Sequence, residues 1–256
     1  MRILSNFFLV FIFSGQYLYS QDSVSIKKYS IENDTLTFHH MIYYPHSPSV
    51  SFINLHDDEN TSVEAGINFL SRFGGSLLQL QHSGKRHFRF VLNGQSFGFD
   101  PNRIFTASGL KQTLEKQSIY REDAAIEVQK IADSLLINYV DDKKIVIALH
   151  NNTERGLSIL SYKKGGFEAE NAAKVYVSNA MNPHDFMLTT NASVFHYLKR
   201  KKINVVLQHH KPKDDGSLSV YAAKKKIHYI NIEALQGHLD EQIRMLEAVK
   251  GIIDRY

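Results

Sequence analysis

There is no cysteine in the 256 residues. That absence removes disulfides and thiolate ligands together, so a metal site in this chain has to be built from His, Asp or Glu. Charge of one sign is also scarce. The formal net charge of +4 is scattered, and the two short basic runs, Lys199-Arg200-Lys201-Lys202 and Lys224-Lys225-Lys226, read as solvated edges, so no nucleic-acid partner is expected. No apolar run is long enough to span a bilayer. No internal repeat or low-complexity linker divides the chain. With 43% hydrophobic and 22% charged residues, the composition is that of a globular protein long enough to bury a sizeable core, and one domain is the simplest organisation.

The N-terminus does carry a short apolar stretch. Met1-Arg2 is followed by Phe7-Phe8-Leu9-Val10-Phe11-Ile12-Phe13, then Gly15 and small or polar residues up to Ser20-Gln21. A basic start, a brief hydrophobic segment and a small residue before a polar one read as a secretory signal peptide over residues 1–20, with an uncleaved anchor as the alternative. The folded domain is then expected over 21–256, in a secreted or periplasmic protein with no stable membrane span after cleavage.

Beyond that segment, strand-like and helix-like patterns alternate. Leu36–Tyr44 is aromatic and β-branched with period-two character, and Pro45 and Pro48 end it. Ser49–Leu55 is a second strand, after which Asn60-Thr61-Ser62 looks like a helix N-cap and Val63, Ile67 and Leu70 recur at helical spacing until Gly74-Gly75. Ser76–Gln81 and Phe88–Leu92 follow as strands, and Asn93-Gly94 predicts a tight hairpin turn. Tyr120–Tyr139 is an amphipathic helix. Lys144–Leu149 reads as a strand buried on both faces. Val175–Val177, Ile203–Leu207 and Ile227–Ile232 are further strands, separated by a helix over Ser193–Lys201. A closing helix is marked by Leu239, Ile243, Leu246 and Val249. The expectation is an α/β fold, a mixed twisted sheet flanked by helices.

Two of these strands deliver a histidine at the carboxyl end, His56 and His150, and Glu59 follows His56 by three positions. Ligand crevices of open α/β sheets lie at the carboxyl ends of the strands. Two imidazoles and one carboxylate gathered there make a zinc set of the kind hydrolases use, with a fourth position left open. The plain alternative is that His56 closes a loop and Glu59 begins the next helix, where an acidic residue is welcome for electrostatic reasons. Glu233, directly after the apolar run Tyr229-Ile230-Asn231-Ile232, places another carboxylate at the same sheet end, suited to moving a proton. Between them, Asp100-Pro101-Asn102-Arg103-Ile104-Phe105 sets an amide beside a guanidinium on a turn stiffened by proline, and arginine suits a bidentate grip on a carboxylate. The pairs His39-His40 and His209-His210 lie on strands or strand ends, where neighbouring side chains point to opposite faces.

His56-x-x-Glu59, the Asp100–Phe105 segment, His150 after one apolar strand and Glu233 after another, in that order, resemble the zinc carboxypeptidase superfamily, including its succinylglutamate desuccinylase and aspartoacylase branch. The pattern spans roughly residues 50–235. The resemblance implies one zinc ion held by His56, Glu59 and His150, with Glu233 as general base and proton shuttle. It implies that Asn102 and Arg103 grip the free carboxylate of the substrate, and that an upstream arginine polarises the scissile carbonyl: Arg86, with Arg89 as the alternative. Tyr221 is the candidate for the tyrosine that closes over the substrate. Asp57-Asp58, inside the first motif where small residues are common, departs from the pattern. The implied activity is hydrolysis of an amide bond beside a free carboxylate in a small peptide or acyl amino acid, as by a carboxypeptidase or an N-acyl amino acid deacylase. A protein of the same fold that binds peptides or glycans without turnover is the alternative. Side-chain preference and oligomeric state are not readable from the sequence.

Overall fold

The computed structural model describes residues 21–255; the expected signal segment lies outside the described residues. In chain order the strands are β1 (Gln21–Ile31), β2 (Asp34–Tyr43), β3 (Val50–Asn54), β4 (Gly75–Gln81), β5 (Phe88–Leu92), β6 (Gln95–Phe99), β7 (Ile145–Asn152), β8 (Ala172–Tyr176), β9 (Phe186–Thr189), β10 (Val205–Gln208) and β11 (His228–Leu235). The helices are α1 (Asn60–Phe73), α2 (Ala107–Gln117), α3 (Glu122–Tyr139), α4 (Ala192–Arg200), α5 (Leu218–Lys225) and α6 (Leu239–Ile253).

Nine strands form one mixed sheet in the order β1-β2-β4-β3-β7-β11-β9-β10-β8. Its centre is parallel, β4-β3-β7-β11, which is why β3 and β7 are apolar on both faces. Outside this centre the pairings are antiparallel, apart from β9–β10, which is parallel. One face is covered by α1, α4 and α6 over a core that includes Phe52, Phe69, Ile147 and Leu246. The other face packs against α2, α3 and α5 and the β5–β6 hairpin, with Phe38, Phe90, Val128 and Tyr229 buried there. Helices on both sides of one sheet make the predicted α/β layering. No helix among the described residues is long and apolar enough to cross a membrane.

Local chemistry accounts for most of these elements. Asn93 and Gly94, at φ of 52° and 75°, form the two-residue turn of the β5–β6 hairpin, as the Asn-Gly pair predicts. The entry to α1 differs from the expected cap. Glu59 sits at the N-cap position and its side chain makes no capping bond. The amide N–H of Ser62 donates instead to Oδ1 of Asn151, 2.8 Å away on β7. The Glu59 carboxylate is thereby left free to face the other way.

The sheet also extends further than the sequence pattern predicted. β7 runs on through His150 to Asn152, and β11 through Glu233 to Leu235. Both residues therefore sit inside paired strand, not after it. His150 and Glu233 are register partners across the parallel β7–β11 pair, so their side chains project from the same face one strand spacing apart. Gln242 of α6, fully buried, braces this end by donating to the His150 carbonyl at 3.0 Å and accepting from Asn151 at 2.9 Å.

Candidate active site

Three side chains converge where β3 and β7 end. Nδ1 of His56 lies 2.8 Å from one oxygen of Glu59, and Nδ1 of His150 lies 2.9 Å from the other. The two Nδ1 atoms face each other at 3.2 Å. All three residues are buried, and one donor atom from each lies within 4.8 Å of the others, a group able to hold a metal ion. Two nitrogens bound at about 2.0–2.1 Å to one tetrahedral ion stand roughly 3.3–3.4 Å apart. The imidazole spacing matches, so the donor set fits a divalent metal.

The outer nitrogen of His56 is fixed as well. Its Nε2 donates to Oδ1 of Asp100 at 2.8 Å, the carboxylate–histidine arrangement that orients metal-ligating imidazoles. Asp100 was part of the recognised segment, yet its role as the partner of His56 was not read from sequence. The only signal was its place immediately before Pro101. Oδ1 of Asp100 also accepts from the Asn102 amide at 2.8 Å, so one carboxylate positions both the ligand and the following turn.

Charge explains the protonation pattern. Burial works against a charged His56, but the carboxylates of Glu59 and Asp100 outweigh it and hold the imidazole pKa up at about 9. Burial would likewise raise Glu59, yet His56 and His150 keep it well below the usual carboxylate range. Asp100 is held low too, by His56 and then Arg86 and Arg103, against its burial. Glu233 behaves in the opposite way. Burial raises its pKa, with His150 opposing and Glu59 reinforcing the shift. Two carboxylates, Glu59 and Asp100, are thus kept ionised while a third nearby, Glu233, is made more basic.

These residues open on a cavity of about 770 Å³ lined by Glu59, Arg86, Asn102, Arg103, His150 and Glu233, among others. Arg86 bonds Glu59 at 2.8 Å and approaches Asp100 at 3.4 Å, while remaining partly exposed. Its loop is pinned by Asp57, whose Oδ2 accepts from the amides of His82 and Gly84 at 2.7 and 2.6 Å. Asp57 is therefore a structural anchor for the Arg86 loop. Arg89, the alternative arginine, is exposed on β5 and does not line the cavity. Asn102 is buried; its Oδ1 accepts from the Leu218 amide at 3.0 Å, and its Nδ2 stands 3.5 Å from Nε2 of His150. Arg103 is steadied by the Asn102 carbonyl at 2.7 Å and by Asp215 at 3.6 Å, with its side chain partly open to the cavity.

Of the eight residues singled out from sequence, the structure brings seven to this cavity or its buried end. Tyr221 is the exception and a correction. The Gly216 segment continues into helix α5, and the Tyr221 hydroxyl donates to Asp141 at 2.6 Å, away from the cavity. The phenols that do line the cavity are Tyr162 and Tyr229. His209 and His210 also lie outside it, while Gln208, one residue earlier, lines it.

Comparison with known proteins bears on layout only. No protein-family profile matches the chain, and no curated protein matches it. Among solved structures, murein-tripeptide amidase MpaA from Escherichia coli O157 is similar at 13% identity and a TM-score of 0.46, over 88% of this chain and 92% of that one. An aspartoacylase family protein from Mesorhizobium loti is similar at 11% identity and a TM-score of 0.44, over 88% and 65%. A candidate metallopeptidase from Shewanella baltica OS155 gives 12% identity and a TM-score of 0.44, over 89% and 84%. At these values the likeness is one of general outline, and chemistry has to come from the site itself. Fold and site together define a class: an α/β protein with a buried His-Glu-His group able to hold a metal ion at the carboxyl edge of a mixed sheet.

Proposed function

We propose that this chain is a zinc-dependent hydrolase that cleaves an amide bond adjacent to a free carboxylate, in a small peptide or an N-acyl amino acid. The observation that carries the reading is the pairing of His150 with Glu233 across β7 and β11. It sets a metal ligand and a carboxylate of raised basicity side by side on one cavity wall. His56, Glu59 and His150 would hold the ion, which when bound supplies Lewis acidity toward an amide carbonyl and an attacking water.

The chain's own residues supply the rest. Glu233, with one oxygen held by Nδ2 of Asn231 at 2.9 Å, is placed to take a proton and return it to the leaving amine. Arg103 offers its guanidinium to the substrate carboxylate, with Asp215 as the weak partner to be displaced. Arg86, already between Glu59 and Asp100, supplies positive charge where a carbonyl oxygen becomes negative. The proposal extends to export of the protein, from the signal-like residues 1–20.

The test combines metal analysis with a substrate panel of peptides and N-acyl amino acids. Wild-type protein is expected to carry one zinc per chain and to release free amino acids, while His150→Ala loses the metal. Zinc retained by His150→Ala refutes the ligand set. Stoichiometric zinc without turnover on any substrate favours the binding-protein alternative.

A further inference from the structure

The cavity extends beyond the metal-binding group along the sheet, and its floor there has an unusual polarity. Tyr229, Asn231 and Glu233 alternate along β11 and so share a face. Leu188 of β9 is the register partner of Asn231, and Gln208 ends the next strand, β10. Nδ2 of Asn231 is committed to Glu233 at 2.9 Å, which fixes the amide orientation and turns Oδ1 elsewhere. Nε2 of Gln208 leans on the Ser219 hydroxyl at 3.4 Å. What remains is Oδ1 of Asn231 and Oε1 of Gln208, both buried and without a hydrogen-bond partner among the described residues. Both side chains line the cavity, and Gln208 is only 7% exposed.

Buried acceptors without donors are unfavourable until something supplies an N–H or O–H. The carboxylate of Asp215 lines the same cavity. Arg155 and Lys213 are exposed residues of the lining, and Arg103 is engaged by the Asn102 carbonyl. The floor beyond Arg103 therefore holds acceptors in excess. Leu188 and Val220 provide apolar wall between them, suited to a methylene stem. A carboxylate or amide side chain would bring more acceptors to this floor. An ammonium brings three donors and none.

From this arrangement we infer that the subsite beyond Arg103 receives a side chain ending in an ammonium group, so that the residue released is a lysine-like diamino acid. The inference rests on the hydrolase reading for its chemistry and on Asn231 and Gln208 for its specificity. The methylene stem would lie along Leu188 and Val220 while the ammonium meets the Asn231 and Gln208 carbonyls.

The experiment compares kcat/KM for peptides and Nα-acyl amino acids ending in lysine or in norleucine, which has the same stem length without the charge. Lysine is expected to lead by roughly tenfold or more, the scale of a hydrogen bond to a charged group. Gln208→Leu should lower the lysine-to-norleucine ratio, and Gln208→Glu should raise it. Opposite shifts from one position cannot come from general loss of folding. A wild-type preference for norleucine, or a ratio that neither variant moves, overturns the inference. If nothing is hydrolysed, the hydrolase reading fails separately, and calorimetric binding of free L-lysine and L-norleucine to the zinc-loaded protein decides the subsite. Tighter lysine binding supports it; equal binding overturns it.

Discussion

Asp100 accepts a hydrogen bond from Nε2 of His56 at 2.8 Å, and this contact determines which face of the imidazole is available. With a proton held at Nε2, Nδ1 is the nitrogen left to bind a metal, and it points at Glu59 and His150. Removing the carboxylate should leave all three ligands in place but release the ring. Asp100→Ala is expected to weaken zinc binding about 10–100-fold, measured by competition against a chelator. Asp100→Asn, which keeps an acceptor for both His56 and the Asn102 amide, should lose less. Equal affinity in all three proteins would mean that the contact does not orient the ligand.

Metal uptake should release a proton. Without metal, His56 is an imidazolium with a pKa of about 9, so at pH 7.5 zinc has to displace the Nδ1 proton that Glu59 now accepts. Calorimetric titrations in buffers of different ionisation enthalpy should report close to one proton released per zinc from this residue, with apparent affinity rising about tenfold per pH unit up to roughly pH 9. The same linkage sets stability without metal. A folded pKa above the ordinary 6.5 means that the His56 contribution is fully present below pH 6.5 and is lost as pH rises through about 9. Glu59 and Asp100, both depressed, contribute in the opposite sense: their stabilisation is present above the usual carboxylate range and is lost on acidification. The chelated protein should therefore show a thermal-stability maximum on the acid side of neutrality, and zinc should move it upward in pH.

Glu233 lies outside the group able to hold a metal ion and is expected to be dispensable for metal binding. Glu233→Gln preserves shape and the acceptor for Asn231 while removing the base. Turnover should fall about 10²–10⁴-fold with zinc content unchanged. Because burial raises the Glu233 pKa, the acid limb of kcat/KM in the wild type should lie above 4.5, the carboxyl's ordinary value, and should vanish from the residual activity of the variant. Loss of zinc in Glu233→Gln would instead make this residue part of the metal-holding group.

The parallel centre of this sheet was legible because strands buried on both faces need apolar runs: Val146–Leu149 is unbroken, and Tyr229–Ile232 is interrupted only by Asn231, which lines the cavity. The histidines and acids that follow such runs stood out for the same reason. At the margins β2, β8 and β10 were legible as strands, but β1 and β9 were not. β1 is an edge strand whose Val24 and Ile26 are exposed, so its composition carries no burial signal, and β9 has only four residues. α2 and α5 are short and mostly polar on their outer sides, which hid them, so nothing in the sequence showed that Tyr221 lies on a helix with its hydroxyl turned away from the cavity. Asp100 shows a different limit. Its contact with His56 joins residues 44 positions apart, and no local pattern encodes which carboxylate meets which ring.

Arg103 owes its position to a contact between two glycines. Gly216 has φ of +77°, and a Cβ built on it would lie 2.3 Å from the Arg103 carbonyl and 2.6 Å from Cα of Gly109 in α2. The Gly216 carbonyl accepts from the Phe105 amide at 3.0 Å, tying the loop before α5 to the turn that carries Asn102 and Arg103. A methyl group at this position has to push against backbone on both sides, and an L side chain adds strain at positive φ. Gly216→Ala is expected to lower stability by about 1–3 kcal/mol, read as a fall in Tm. Its kinetic effect should appear first in KM, because the displaced backbone carries the guanidinium that holds the substrate carboxylate, while His56, Glu59, His150 and Glu233 sit on other strands and loops. Zinc content should stay at the wild-type level. A variant with unchanged KM and reduced kcat would place the strain on the metal side of the cavity and remove Arg103 from the role given to it.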